Sequence, residues 1–131
     1  MLGIESIDKQ HTNLLEMIED IGTLIKKSLK YDTYDAIMSI INELEKYTID
    51  HFSYEEQLML NLKYNKMFSH REKHRFFVKQ IKNIDSTDID ESQYDFLVSL
   101  FDFLSMWLIN HIDNDDREFA KWHEEVTNAR D

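Results

Sequence analysis

Helix-breaking residues are almost absent from this sequence, which contains no proline and only two glycines among its 131 residues. Proline and glycine are the residues least compatible with a helix interior, so long uninterrupted helices are expected. Apolar side chains also recur at steps of three and four along four segments, which is typical of helices that bury one face. Because short links join these segments, the sequence predicts an all-α fold, an up-down-up-down four-helix bundle, in a single domain over residues 1–131.

Two further stretches lie outside the four apolar series. The acidic run DSTDIDES at residues 85–92 predicts a solvated loop before the fourth helix. Residues 113–131 are expected to form a short final helix or tail, in which Phe119 and Trp122 can pack against the bundle, while His123 is expected at the surface.

Composition and charge exclude several classes of protein. No run approaches the roughly 18–20 unbroken apolar residues that a membrane span needs, and the first residues, MLGIESIDKQH, lack the basic start and apolar run of a secretory signal. The absence of cysteine excludes disulfides and thiolate metal sites. A net charge of −11 repels phosphate backbones. We therefore expect a cytoplasmic monomer that binds neither nucleic acid nor a membrane.

Polar residues interrupt the apolar series at related positions. Glu55 lies on the second series, and a buried ionised carboxylate is costly unless it is paired or bound to a cation. In an up-down-up-down bundle, the start of the first helix, the end of the second, the start of the third and the end of the fourth meet. Histidines occupy core positions near all four of these places: His11, His51, His70, His74 and His111.

Five converging histidines beside a buried glutamate indicate a metal site, although a single core histidine is usually only hydrogen-bonded. Such a set exceeds the four ligands of a zinc site. If two carboxylates bridge two octahedral metals, about nine ligand atoms come from the protein and about two more positions from a solvent-derived bridge. About one of twelve positions then stays open for a small ligand. Imidazole and carboxylate suit iron, though manganese or cobalt could occupy such a site.

The ordered motifs resemble the hemerythrin family of non-haem di-iron oxygen-binding proteins. The resemblance runs through IDKQH at 7–11, HFSYEE at 51–56, HREKH at 70–74 and WLINHIDNDD at 107–116. It implies reversible binding of dioxygen, without catalysis, at two non-haem irons that share an oxo or hydroxo bridge. The resemblance implies the following ligands: His70, His74 and His111 on one iron, His11 and His51 on the other, and Glu55 and Asp116 bridging both.

The resemblance also implies an apolar oxygen pocket beside the iron that has two histidines. Side chains there would exclude water and proton donors from the bound oxygen. Four residues that flank ligand histidines match this pocket: Phe52, Trp107, Leu108 and Ile112. Ordinary core packing explains each of them nearly as well.

Helical spacing and the resemblance disagree about the second acid. Spacing favours Asp115, at i+4 from His111, because i+5 turns about 140° away. The family pattern selects Asp116, which we follow, because a bridging carboxylate need not share the metal geometry of its helical neighbour. A one-residue widening of the helix (a π-bulge) would also bring it round. Asp113 and Asp115 are then expected to be solvated.

Three functions compete. The leading one is a small oxygen-binding protein for storage, transport, scavenging or sensing. An alternative is a di-iron enzyme acting on peroxide, nitric oxide or ferrous iron, and a third is a module whose metal state changes its shape for a partner. Ferritin-like di-iron oxidases use more carboxylates and fewer histidines, so this histidine-rich set favours carriage. The sequence identifies no reductant and no protein partner.

Overall fold

The computed structural model describes residues 5–129, without the side chains of residues 5–7, 86 and 129. Throughout this range the chain forms helices and turns, with no β-strand. The elements are α1 (Glu5–Ser28), α2 (Tyr34–Asn61), α3 (Met67–Lys82), α4 (Ser86–Glu91), α5 (Gln93–Asn110), a π-helical segment (His111–Asp116) and α6 (Arg117–Ala129).

Much of the core is formed by residues of the predicted apolar series, although Leu29, which was placed on the first series, is 68% exposed. Helix α1 packs against α2 and α5, and α2 also packs against α3. The side chains that are fully buried between them include Leu14, Leu44, Phe77, Leu97 and Leu104. Burial of one such side chain stabilises the fold by about 1.5–3 kcal/mol, so these contacts hold the helices in register.

A small group of hydrogen bonds links the starts of α2 and α5, at the end of the core away from the histidines. The backbone N–H and the hydroxyl of Thr33 each donate a 2.8 Å hydrogen bond to Oε1 of Gln93. Gln93 in turn donates to Asp32 at 2.8 Å. The opposite ends of α2 and α5 lie where the histidines converge.

The link at residues 85–92 is not the solvated loop that its composition predicts. It contains helix α4, which begins after Asp85, whose carboxylate accepts a hydrogen bond from the backbone N–H of Thr87. Ile89 is 0% exposed within this acidic run. A single apolar residue gives no periodic signal, so the sequence did not reveal its anchoring role. Ser92 then caps α5 by accepting from the N–H of Asp95.

The chain continues from α5 through the π-helical segment into α6. The predicted final helix is therefore confirmed as α6, and its Phe119 and Trp122 pack with Met59 and Tyr64 in a second, smaller core. By length and composition alone, Gln93–Asn128 is the one helix in the described range that could cross a membrane. Four leucines of this segment are buried in the core of the chain: Leu97, Leu100, Leu104 and Leu108.

Candidate metal centre

All seven side chains predicted as metal ligands lie together in the interior. They come from the first half of α1, the second half of α2, the start of α3 and the π-helical segment. None is more than 5% exposed: His11, His51, Glu55, His70, His74, His111 and Asp116. Helical spacing and the family motif together therefore identified a real cluster.

The cluster divides into two groups of potential ligand atoms that share two carboxylates. Within each group the atoms lie within 4.8 Å of one another. One group contains Glu55, His70, His74, His111 and Asp116, and the other contains His11, His51, Glu55 and Asp116. The two groups thus form one connected set of potential metal ligands.

Three of the imidazoles make hydrogen bonds through Nδ1, on the side facing away from the cluster. His74 Nδ1 lies 3.2 Å from Oε2 of Glu56, and His111 Nδ1 lies 2.9 Å from Oδ2 of Asp115. His51 Nδ1 lies 2.5 Å from Oε1 of Gln10. Because an ionised carboxylate only accepts hydrogen bonds, Nδ1 of His74 and His111 carries the proton.

The Nε2 atoms of the same imidazoles face into the cluster. Burial lowers the pKa of His51 to about 3 and that of His74 to about 2, so both rings are neutral at pH 7. In a neutral ring with a protonated Nδ1, Nε2 carries a lone pair. His74 Nε2 and His111 Nε2 lie only 2.8 Å apart. A cation coordinated by both Nε2 atoms would fit this close approach.

Asp116 accepts hydrogen bonds with both carboxylate oxygens. Oδ2 lies 2.8 Å from His11 Nε2, and Oδ1 lies 2.7 Å from His70 Nε2. Burial raises the pKa of Asp116, but the hydrogen bonds from His11 and His70 outweigh that effect and lower it well below its usual range. The π-helical segment provides the widened turn that brings Asp116 into the cluster, which is one of the two possibilities that the sequence left open.

The other two acids of the π-helical segment differ from each other. Asp113 is 61% exposed, as expected. The prediction that Asp115 is solvated is wrong, because its carboxylate is half-buried between His111 and Lys73, whose Nζ lies 2.6 Å away. These two hydrogen bonds outweigh the effect of burial and lower the pKa of Asp115 to about 2. Helical spacing correctly predicted that Asp115 lies beside His111. Its carboxylate contacts Nδ1, the nitrogen that faces away from the cluster, and not Nε2.

Glu55 is the clearest sign that the cluster suits a cation. Its side chain is 0% exposed, and neither carboxylate oxygen has a hydrogen-bond partner in the described part of the chain. His51 Nε2 lies 3.3 Å from Oε2. Burial raises the pKa of Glu55 well above its usual range, and the neighbouring Asp116 raises it further. An unsatisfied buried carboxylate among neutral imidazoles fits a non-haem metal site.

Aromatic rings enclose one side of this cluster. Phe52 is buried and stacks on His74, with ring centroids 4.0 Å apart. Trp107 is half-buried and stacks on His111 at 4.9 Å. Leu108 is buried in the same core, and Ile112 is half-buried against it. All four predicted pocket residues therefore lie close to the cluster or to the core beside it.

Sequence reasoning missed the residues that hold the rings from outside. Gln10, Glu56 and Asp115 each lie next to a predicted ligand in the sequence, and that adjacency was the available signal. His123 lies in neither donor group. It is half-buried near the ring of Phe119 rather than fully at the surface.

Comparison with known proteins agrees with this centre. The family model described as the hemerythrin HHE cation binding domain matches residues 2–122. A bacteriohemerythrin of Clostridium acetobutylicum is 36% identical over 118 residues, which cover 90% of this chain and 92% of the relative. A bacteriohemerythrin of Pseudomonas paraeruginosa is 36% identical over 119 residues, covering 90% and 73%. A myohemerythrin of Theromyzon tessulatum is 25% identical, covering 88% and 81%. This chain belongs to the hemerythrin family.

Proposed function

We propose that this protein binds dioxygen reversibly at two non-haem irons. The observation that carries the proposal is the pair of donor groups that share Glu55 and Asp116. We assign the ligands accordingly: His70, His74 and His111 hold one iron, His11 and His51 hold the other, and Glu55 and Asp116 bridge them. When bound, a pair of ferrous irons supplies the two electrons that dioxygen takes up.

The donor count supports one open position. The three-histidine group offers five side chains and the two-histidine group offers four. With a shared oxo or hydroxo bridge, roughly one of twelve octahedral positions stays free, on the side of His11 and His51. A small ligand such as dioxygen fits one position.

The surrounding side chains protect the bound ligand. Phe52 lies 5.6 Å from the ring of His51 and stacks on His74, so it separates the centre from solvent. We propose that Phe52, Trp107, Leu108 and Ile112 exclude water and proton donors. Their role is to keep the bound oxygen from leaving as a reduced, protonated species.

The architecture that supports this centre is an up-down-up-down bundle of α1, α2, α3 and α5, which we take as one domain over residues 1–131. Thr33 and Gln93 join α2 and α5 at one end, and His11 and Asp116 join α1 to the π-helical segment at the other. Both contacts agree with helices that alternate in direction. The strong net negative charge opposes self-association, so we propose a cytoplasmic monomer that binds neither nucleic acid nor a membrane.

The family assignment favours carriage of oxygen, and nothing in the comparisons favours the enzyme alternative. The two functions are separated by incubating the reduced, iron-loaded protein with dioxygen, peroxide or nitric oxide in turn. Carriage predicts a visible spectrum that appears with dioxygen and disappears when dioxygen is removed. Repeated turnover of peroxide or nitric oxide would instead assign an enzyme.

A further inference from the structure

Two imidazoles of the three-histidine group are hydrogen-bonded, at the nitrogen that faces away from the cluster, to carboxylates from two different helical segments. Glu56 of α2 contacts Nδ1 of His74, and Asp115 of the π-helical segment contacts Nδ1 of His111. Helix α3 supplies cations to both carboxylates. Lys73 bonds Asp115 at 2.6 Å. Burial raises the pKa of Glu56, and the charges of Arg71 and Arg75 oppose that rise.

These contacts have a consequence for the inner nitrogens. A neutral imidazole carries one proton, so a ring that donates from Nδ1 to a carboxylate has a bare Nε2. Glu56 and Asp115 impose this state on two rings whose Nε2 atoms lie 2.8 Å apart. Without the two carboxylates, either ring could move its proton to Nε2 and donate a hydrogen bond to the other. The carboxylates therefore oppose the arrangement that would suit the metal-free protein best.

We propose that Glu56 and Asp115 are positioning residues that hold His74 and His111 in the same tautomer, so that both Nε2 lone pairs are available to the metal. This inference rests on the proposed ligand roles of the two histidines. The hydrogen bond from Nδ1 to a charged acceptor also makes Nε2 a stronger donor to a metal, and loss of such partners typically weakens metal affinity about 10–100-fold. The two carboxylates thus favour metal binding while leaving a repulsive contact in the metal-free protein.

Both carboxylates can be substituted without opening the core. The side chain of Glu56 is 22% exposed and borders a surface groove of about 470 Å³ between α2 and α3. That of Asp115 is 19% exposed and borders a groove of about 650 Å³ beside Trp107. Amide substitutions keep the size of each side chain. They remove the charge and allow the amide N–H₂ to donate to Nδ1. The ring proton can then move from Nδ1 to Nε2.

The first test is the tautomer itself, read from ¹⁵N NMR of the imidazole nitrogens in metal-free protein. We expect Nε2 of both His74 and His111 to be unprotonated in the wild type, and Nε2 of His111 to become protonated in Asp115→Asn. Protonation of Nε2 on either ring in the wild type would overturn the proposal. An unchanged tautomer in both Asp115→Asn and Glu56→Gln would do the same.

The second test measures affinity for ferrous iron by anaerobic competition with a chelator. Glu56→Gln and Asp115→Asn should each weaken the tighter of two binding steps about 10-fold or more. The matched controls are Glu72→Gln on α3 and Asp113→Asn in the π-helical segment, both exposed acids that pair only with arginine in the described contacts. The controls should bind like the wild type. If the wild type binds two irons and the four variants bind equally well, this inference is wrong while the proposed function stands; a wild type that binds no iron contradicts the proposed function itself.

Discussion

His11 Nε2 lies 2.8 Å from Oδ2 of Asp116, although the two residues are 105 positions apart in the sequence. The other oxygen of Asp116 lies 2.7 Å from Nε2 of His70. One buried carboxylate therefore joins α1, α3 and the π-helical segment. It also belongs to both donor groups, so its loss should affect the two proposed metal positions together.

Replacement of Asp116 by alanine should abolish the proposed di-iron centre and the spectrum of the oxygenated protein. Metal analysis of the purified variant is expected to give clearly fewer than two irons per chain. Asp113→Ala, in the same segment but exposed, is the control and should retain full iron content. Asp115→Ala should still reach two irons at saturating iron, because it removes only an outer contact of His111. Two irons in Asp116→Ala together with loss of iron in Asp115→Ala would show that Asp115, and not Asp116, is the shared metal ligand.

Metal binding should contribute much of the stability of the folded chain. Without a cation, Glu55 is buried with unsatisfied oxygens, and the Nε2 atoms of His74 and His111 lie 2.8 Å apart. Free ferrous iron at a hundred times its dissociation constant should stabilise the fold by about 2.7 kcal/mol. For a chain of this size that corresponds to a rise in Tm of roughly 10 °C. Anaerobic calorimetry with and without iron measures this rise in Tm. Equal melting temperatures would contradict the proposal that these buried side chains bind iron.

The metal-free protein should lose stability as the pH falls below 6.5. The pKa values of His51 and His74 are lowered by burial, so the unfolded chain takes up protons that the folded chain does not. Their contribution to stability is complete above pH 6.5 and is lost towards pH 3, at up to about 1.4 kcal/mol per pH unit for each histidine.

Glu55 acts in the opposite direction. Its pKa is raised in the folded state, so its contribution is present below pH 4.5 and is lost as the pH rises through the raised value. Glu55→Gln should therefore make the loss of stability between pH 6.5 and 4.5 steeper than in the wild type. Urea unfolding in the presence of a chelator at several pH values checks this. A shallower pH dependence in Glu55→Gln would contradict the sign of the Glu55 shift.

Truncation of Leu108 should shorten the life of the oxygenated protein without removing iron. Leu108 is 1% exposed and lies three residues before His111, so alanine there opens space beside the centre. Leu97→Ala is the matched control, because Leu97 is equally buried on α5 but far from the histidines. Each variant should lose about 2–5 kcal/mol of stability, and only Leu108→Ala should autoxidise faster. Equal autoxidation rates in the two variants would make Leu108 an ordinary core residue.

The main helices and six of the seven clustered side chains were predictable because both depend on regular spacing, whereas Asp116 was predicted from the family motif. Apolar periodicity defines one buried face per helix, and His51 with Glu55 or His70 with His74 simply extends that face. The conflict between Asp115 and Asp116 was also informative, since a widened turn was one of two ways to reconcile the motif with helical geometry. The π-helical segment at His111–Asp116 is that widened turn.

The features that escaped prediction depend on single contacts rather than on periodicity. Ile89 anchors α4 alone within an acidic run, so no pattern marks it. The contacts of Gln10, Glu56 and Asp115 depend on how each imidazole ring is rotated, which requires the positions of neighbouring helices. Sequence spacing places a residue on a helix face but does not say which ring nitrogen it meets.

The most direct test of the central claim measures iron and dioxygen on the same sample. Protein loaded with ferrous iron under anaerobic conditions should contain two irons per chain, take up one dioxygen per chain and develop a visible spectrum. Removal of dioxygen under vacuum should return the gas and the original spectrum over repeated cycles. A chain that holds one iron or none, or that consumes dioxygen irreversibly in the first cycle, would contradict reversible binding at a di-iron centre.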